Sequence, residues 1–85
     1  MNQLTYKTMK TLDEFVALCA EQFYETDASE ITATTAFHEL DEWSSLIGLS
    51  LIGMVAEEFN IGLKGDDIKE SVTLEDLYNR VMSKF

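Results

Sequence analysis

A stretch without charges limits the folds open to this chain more than any other feature. Residues 44–56 contain no Asp, Glu, Lys or Arg, although the 85-residue chain has 16 acidic and 6 basic residues and a net charge of −10. In a helix over residues 44–59, one face would carry Leu51, Ile52, Val55 and Phe59. Other apolar side chains fall largely outside that face, namely Leu46, Ile47, Leu49 and Met54. The stretch therefore predicts a helix that buries one face in a core and presents a second apolar surface to something else.

Two further helices are predicted, over residues 11–24 and 73–85. Each starts with a threonine, Thr11 or Thr73, followed three positions later by an acidic residue, which is the spacing of a helix cap. Each then has apolar residues at positions i, i+3, i+4, i+7 and i+11, which form one stripe of a helix. The stripes are Leu12, Phe15, Val16, Cys19 and Phe23, and Leu74, Leu77, Tyr78, Val81 and Phe85. Because Cys19 lies on a stripe, we expect it to be buried rather than reactive.

The segments between these helices lose the helical period. Residues 25–43 are rich in Asp, Ser and Thr and predict a long loop, in which His38 is solvated or hydrogen-bonded. The apolar residues expected to fix this loop are Ile31, Phe37, Leu40 and Trp43. Residues 64–71 predict a short helical turn around Ile68. The fold class is therefore all-α: a single domain over residues 1–85 that forms a small four-helix bundle, with three longer helices and one short helix.

The composition argues against several classes of site. With one Cys and one His, the chain can form neither an internal disulfide nor a structural zinc site. It contains no GxxxxGK[ST], HExxH, GxSxG or CxxC motif. The adjacent acids Glu57-Glu58 and Asp66-Asp67 indicate solvated surface. We therefore predict no catalytic residue, no metal ligand and no enzymatic activity.

The charge and the apolar stretch also bear on partners and location. A net charge of −10 argues against nucleic acid and anionic membranes and favours soluble partners with basic patches. The uncharged stretch is shorter than the roughly 20 residues needed to cross a bilayer. We expect a monomeric, cytoplasmic protein without membrane insertion.

Two serines, Ser44 and Ser45, mark the start of the apolar helix. Either could be the N-cap, a role for which serine is favoured. Alternatively, a hydroxyl at this place is exposed, and the backbone N–H groups of the first turn would stabilise a phosphate attached to it. Helix geometry alone favours the N-cap interpretation.

An ordered set of residues beginning at these serines gives the chain a family resemblance. In chain order they are Ser44-Ser45-Leu46, Leu51, Glu57-Glu58-Phe59, Ile61, Leu63, Asp66-Asp67 and the segment from Thr73 to Leu77. The segment up to Leu63 keeps its register without a gap. In these residues, and over nearly its whole length after residue 10, the chain resembles the acyl carrier protein family.

The resemblance implies a four-helix carrier domain with a covalent cofactor and no catalytic activity of its own. Ser45 would receive 4′-phosphopantetheine from coenzyme A through a phosphopantetheinyl transferase, because a modified Ser44 would shift the family register by one. The terminal thiol of the arm would hold acyl groups as thioesters and present them to acyl-transferring and condensing enzymes. The pathway would be fatty acid, polyketide or related specialised synthesis, and the bundle would shelter the acyl chain among its helices.

Two departures from the family pattern lead to alternative hypotheses. Ser44 replaces the Asp that usually precedes the modified serine and is associated with magnesium binding during modification. Ile47, Ser50 and Ala56 occupy positions that are usually acidic, which predicts a more apolar partner surface and a specialised carrier. One alternative is an unmodified binding module that docks a partner through its apolar second helix. Another, supported only by charge, is a small acidic inhibitor or chaperone-like protein.

Overall fold

The computed structural model describes residues 10–85. This part of the chain contains four α-helices and two 3₁₀ turns, joined by irregular segments. The α-helices are α1 (Leu12–Ala20), α2 (Ser45–Phe59), α3 (Gly65–Glu70) and α4 (Leu74–Met82). The 3₁₀ turns, Ala28–Glu30 and Phe37–Glu39, lie in the long connection between α1 and α2. Helix α1 packs on α2 and α4, and the short α3 packs on the same two helices. The predicted all-α bundle, with three longer helices and one short one, is confirmed.

Capping boxes start α1 and α4, at the positions that the sequence predicts. In α1, Thr11 Oγ1 accepts the Glu14 N–H at 3.2 Å, and Glu14 Oε1 accepts the Thr11 N–H at 2.8 Å. In α4, Thr73 and Asp76 exchange the same pair of hydrogen bonds, both at 3.1 Å. These bonds satisfy N–H groups that have no partner within the helix.

The core is built from the inward faces of the helices. Its fully buried members include Phe15, Leu51, Val55, Leu74, Leu77 and Val81. The Phe15 ring meets the Phe59 ring edge-on at a centroid distance of 5.7 Å, which links α1 to α2. Cys19 is buried as predicted, and burial raises the pKa of its thiol well above the ordinary value.

Helix α1 ends at Ala20, four residues before the predicted end. The backbone N–H groups of residues 24–26 donate to the carboxylate of Glu42 and not to carbonyls one turn back. Phe23 stays buried, so the apolar stripe continues through the turn after α1. Helix α4 likewise ends at Met82 and not at residue 85. The predicted end of α1 was wrong because apolar periodicity carries no information about a distant hydrogen-bond acceptor such as Glu42. At the end of α4 the remaining N–H groups form local turn hydrogen bonds, from Lys84 to Val81 and from Phe85 to Met82.

The connection over residues 25–43 is irregular, as predicted, and packs against the core. Ile31 and Phe37 are buried, and Leu40 and Trp43 lie half-buried against the same cluster. Two N–H groups at the start of α4 donate to backbone carbonyls of this segment at 2.9 and 3.3 Å. The connection is therefore fastened to the bundle both by apolar contacts and by backbone hydrogen bonds.

Helix α2 buries more of its surface than the sequence pattern predicts. Ile47 and Met54, which that pattern places outside the core face, are only 8% and 7% exposed. Because α2 packs against both α1 and α3, its buried surface is wider than one stripe. The expectation that Ile47 belongs to a partner-facing surface is therefore wrong. Leu46 and Leu49 are 74% and 63% exposed, so a smaller apolar surface remains.

Candidate functional site

The two serines at the start of α2 have different environments. Ser44 is the N-cap: its backbone is extended (φ −159°, ψ 170°) and its Oγ accepts the Ile47 N–H at 3.4 Å. Ser45 is the first residue of α2 and is exposed, and its hydroxyl forms no hydrogen bond with any residue that the structure describes. The structure thus gives the capping role to Ser44 and leaves the Ser45 hydroxyl accessible.

The first turn of α2 carries no carboxylate, in contrast to the other three α-helices of residues 10–85. Those helices begin with the acidic pairs Asp13-Glu14, Asp66-Asp67 and Glu75-Asp76. The start of a helix favours negative charge, because its N–H groups are unpaired and the helix dipole is positive there. At α2 no acidic side chain of the first turn competes for this position, so an anion attached to Ser45 would be stabilised.

Glu42 fixes the chain just before the serines. Its Oε2 accepts the Tyr24 N–H at 2.7 Å, and its Oε1 accepts the Glu25 N–H, the Thr26 N–H and the Thr26 hydroxyl at 2.8 to 3.0 Å. Partial desolvation raises the pKa of Glu42, but the hydrogen bonds from Thr26, Tyr24 and Glu25 outweigh it and hold that pKa below its ordinary value. The ionised carboxylate therefore ties the approach to α2 to the turn after α1.

Trp43 is held between Glu42 and the first serine by aromatic contacts. Its ring lies 5.3 Å from the Phe37 ring and 4.7 Å from the His38 ring, in edge-to-face geometry with both. On the α2 side, a Cβ added at Gly48 would lie 3.4 Å from Trp43 Cη2. A methyl group at residue 48 would thus just contact the indole, and only a larger side chain would overlap it.

An open groove of about 430 Å³ adjoins Ser45, between the long connection, α2 and α3. Besides Ser45, its walls are formed mainly by His38, Trp43, Leu49, Ile52, Ile68 and Lys69. Most of this lining is apolar, and its volume lies within the range of about 300–1,000 Å³ typical of small-molecule sites. An elongated group attached to Ser45 could therefore lie along a largely apolar surface.

These features suit covalent attachment of a phosphate-linked group. The hydroxyl is accessible, the start of α2 would stabilise a phosphodiester, and the groove could accept a mostly neutral arm. Within residues 10–85, no group of three or more His, Cys, Asp or Glu side chains is arranged to hold a metal ion. Of the helices in that part of the chain, none combines the length and hydropathy of a membrane span.

No sequence pattern singles out two residues of this region, Glu42 and Lys69. No local spacing in the sequence indicates the hydrogen bonds that Glu42 accepts from residues 24–26. Lys69 lines the groove beside Ser45. Nothing in the sequence around Lys69 distinguishes it from the other lysines of the chain, so no local signal could have found it.

Comparison with known proteins agrees with this geometry. The sequence model of the phosphopantetheine attachment site family matches residues 13–81, from the first turn of α1 to the last turn of α4. Searches of curated proteins and of solved structures gave no match. In this family the attached group is 4′-phosphopantetheine, linked covalently, and carrier domains interact with a phosphopantetheinyl transferase and with acyl-handling enzymes. The chain therefore belongs to the phosphopantetheine attachment site family, the family of phosphopantetheine-carrying carrier proteins.

Proposed function

We propose that Ser45 is the attachment residue and that the chain carries acyl intermediates between biosynthetic enzymes, without catalytic activity of its own. The observation that carries this proposal is the difference between the two serines. The Ser44 Oγ already accepts the Ile47 N–H, whereas the Ser45 hydroxyl is exposed and has no partner among the described residues. Ser45 also keeps the family register with Leu46.

The residues around Ser45 have separate roles in this proposal. On modification, a bond forms between Ser45 Oγ and phosphorus, the bond from phosphorus to the adenosine bisphosphate half of coenzyme A breaks, and the hydroxyl proton is released. When bound, the arm supplies the thiol that carries acyl groups as thioesters. Ser44 keeps α2 capped, the N–H groups of the first turn stabilise the phosphodiester, and Glu42 and Trp43 hold the approach to the helix.

The apolar surface of α2 supports the hypothesis that this carrier serves a specialised biosynthetic pathway. Leu46 and Leu49 are exposed close to Ser45 along the helix, and acidic residues lie beyond both ends of the uncharged stretch. The transferase and the acyl-transferring and condensing enzymes would dock there through apolar contact, with less dependence on salt than a purely acidic helix would show. Fatty acid, polyketide and related pathways all fit this surface, and a cytoplasmic location stays a prediction.

The second candidate is an unmodified binding module on the same fold. Two observations favour it: Ser44 stands where the family usually has Asp, and Leu46 and Leu49 form an exposed docking surface that needs no cofactor. In that case Ser45→Ala would leave partner binding unchanged.

Intact mass spectrometry distinguishes the two candidates. The chain is incubated with coenzyme A and a broad-specificity phosphopantetheinyl transferase, together with Ser45→Ala and Ser44→Ala. We expect wild type to gain one phosphopantetheine and Ser45→Ala to gain none. Ser44→Ala loses a helix cap worth about 1 kcal/mol but keeps the reactive hydroxyl, so it should still be modified. No gain by wild type with any transferase tested would favour the unmodified binding module, and loss of modification in Ser44→Ala alone would contradict the assignment to Ser45.

A further inference from the structure

The groove beside Ser45 differs in charge from the rest of this acidic molecule. Two other surface depressions are lined by carboxylates: one by Glu25, Glu30, Glu39, Asp41 and Glu42, the other by Glu21, Glu57 and Glu58. No Asp or Glu lines the groove beside Ser45, and its one cationic side chain is Lys69. The chain has a net charge of −10, so an anion meets less repulsion in this carboxylate-free groove with a lysine in its wall than in either of those two depressions.

Two of the three acids of α3 form ion pairs away from the groove. Asp67 and Glu70 lie on the side of α3 that faces α4, where both form ion pairs with Arg80 at 3.0 and 2.8 Å. Lys69 is on the groove side, and it forms no ion pair with any residue that the structure describes. The ammonium group of Lys69 thus forms no ion pair with Asp66, Asp67 or Glu70, the acids of its own helix.

We infer that Lys69 is the counter-ion of the phosphodiester on Ser45 and that this ion pair draws the phosphopantetheine arm into the groove. The inference rests on the proposed attachment to Ser45. Ser45 lines the groove from α2, and Lys69 lines it from α3. A phosphodiester on Ser45 Oγ would therefore lie at the wall of the groove that Lys69 also lines. The N–H groups at the start of α2 stabilise the anion from one side and Lys69 attracts it from the other. Lys69 is a positioning residue, because it acts on where the arm lies and not on the thiol.

The expected effect is modest, because the Lys69 side chain is exposed. An exposed ion pair shifts an equilibrium by about three- to fivefold, and salt screens it. We therefore expect the arm to exchange between the groove and solvent, with the docked fraction depending on Lys69. Lys64 provides the matched control, since it is an exposed lysine next to α3 that forms no ion pair with a described residue and does not line the groove.

The test uses the modified chain in three forms: wild type, Lys69→Gln and Lys64→Gln. Intact mass first establishes that each form carries one arm. Nuclear Overhauser contacts from the pantetheine methyl groups to the Trp43 indole, together with amide shift changes at Ile68 on modification, then report the docked fraction. We expect docking in wild type and Lys64→Gln, a loss of about three- to fivefold in Lys69→Gln, and a decrease with added salt only in the two forms that retain Lys69.

The outcomes separate this inference from the proposed function. A mass gain with equal docking in wild type and Lys69→Gln would overturn the role of Lys69 and leave Ser45 as the attachment residue. If the docked fraction depended on Lys69 only when the arm carried an acyl group that ends in a carboxylate, the partner of Lys69 would be that carboxylate and not the phosphodiester. This result would contradict the inference. Failure of wild type to be modified would overturn both. Urea unfolding of the unmodified variants should be unchanged, which excludes a purely structural effect of the substitution.

Discussion

The carboxylate of Asp67 lies 3.0 Å from the guanidinium of Arg80, and this ion pair joins α3 to α4. The Asp67 side chain is only 10% exposed, and its second oxygen lies 3.2 Å from Lys84 Nζ and accepts the Lys64 N–H at 2.9 Å. Helix α3 has six residues and contributes one wall of the groove beside Ser45. This nearly buried carboxylate therefore helps to fix the position of that wall.

Asp67→Asn should lower the free energy of unfolding by about 1–3 kcal/mol. The amide oxygen can still accept the Lys64 N–H, but Lys84 loses its charged partner and Arg80 keeps only Glu70. Asp66→Asn is the matched control, because it removes the same charge at an exposed neighbouring position without an ion pair among the described residues. Urea denaturation followed by circular dichroism measures both variants. If both variants lowered the free energy of unfolding equally, the ion pairs of Asp67 would contribute nothing to stability beyond the effect of removing one negative charge from α3.

The same carboxylate makes stability depend on pH in the acid range. The hydrogen bond from the Lys64 N–H lowers the pKa of Asp67, burial opposes this, and Arg80 and Lys84 lower it further, so it lies below the ordinary value of 3.8. A carboxyl whose pKa is lower in the folded than in the unfolded chain stabilises the fold above the unfolded pKa. That contribution is lost as the pH falls through the folded pKa.

We therefore expect the stability difference between wild type and Asp67→Asn to be constant above about pH 5 and to shrink below about pH 4. The difference is the useful quantity, because acid also relieves the repulsion among the other carboxylates of the chain. Urea denaturation of both proteins over a series of pH values measures it. A difference that stays the same at the lowest pH would mean that Asp67 has no lowered pKa in the folded state.

Glu42→Gln tests the bond between the turn after α1 and the approach to α2. A single amide oxygen cannot replace two carboxylate oxygens that accept four hydrogen bonds, and its NH₂ group would face N–H donors. We expect faster amide exchange at residues 24–26 and a lower urea midpoint. Glu39→Gln removes the same charge from an exposed side chain that makes no hydrogen bond in the described structure, and it should change neither quantity. Unchanged exchange at residues 24–26 would show that solvent satisfies these N–H groups equally well.

The sequence predicted the parts of this molecule that depend on local spacing. The caps at Thr11 and Thr73, the burial of Cys19 and the start of α2 at the serine pair all follow from residues within a few positions of one another. The alternatives for Ser44 and Ser45 stayed open, because serine is favoured as an N-cap at either position. The three-dimensional structure separates them through one hydrogen bond to Ile47.

The features that the sequence did not predict depend on contacts between distant segments. Ile47 falls outside the single apolar stripe of α2, and only the packing of α2 on both α1 and α3 explains its burial. Glu42 bonds to groups 16 to 18 residues away, so its charge gave no hint of that role. Lys69 looks like an ordinary surface lysine until the groove and the ion pairs of α3 are seen together.

The two glycines inside α2, Gly48 and Gly53, differ in the space available for a side chain, so substitutions at them should differ in their effect on the free energy of unfolding. Glycine in a helix interior costs about 1 kcal/mol relative to alanine. A Cβ at Gly53 would meet nothing within 4 Å, whereas a Cβ at Gly48 would lie 3.4 Å from Trp43 Cη2, an ordinary contact distance. Gly53→Ala should therefore raise the free energy of unfolding by about 1 kcal/mol, and Gly48→Ala should raise it by a similar or smaller amount.

A larger side chain at Gly48 would have to displace Trp43. We expect Gly48→Leu to lower the free energy of unfolding by about 1–3 kcal/mol, as overpacking does, and to shift the Trp43 emission spectrum. Gly53→Leu is the matched control, because it adds the same side chain where there is open space, and it should leave the emission unchanged. Trp43 is the only tryptophan of the chain, so its fluorescence reports this contact without interference. Similar stability and emission in the two leucine variants would show that Trp43 moves aside at no cost and that Gly48 is not required for its position.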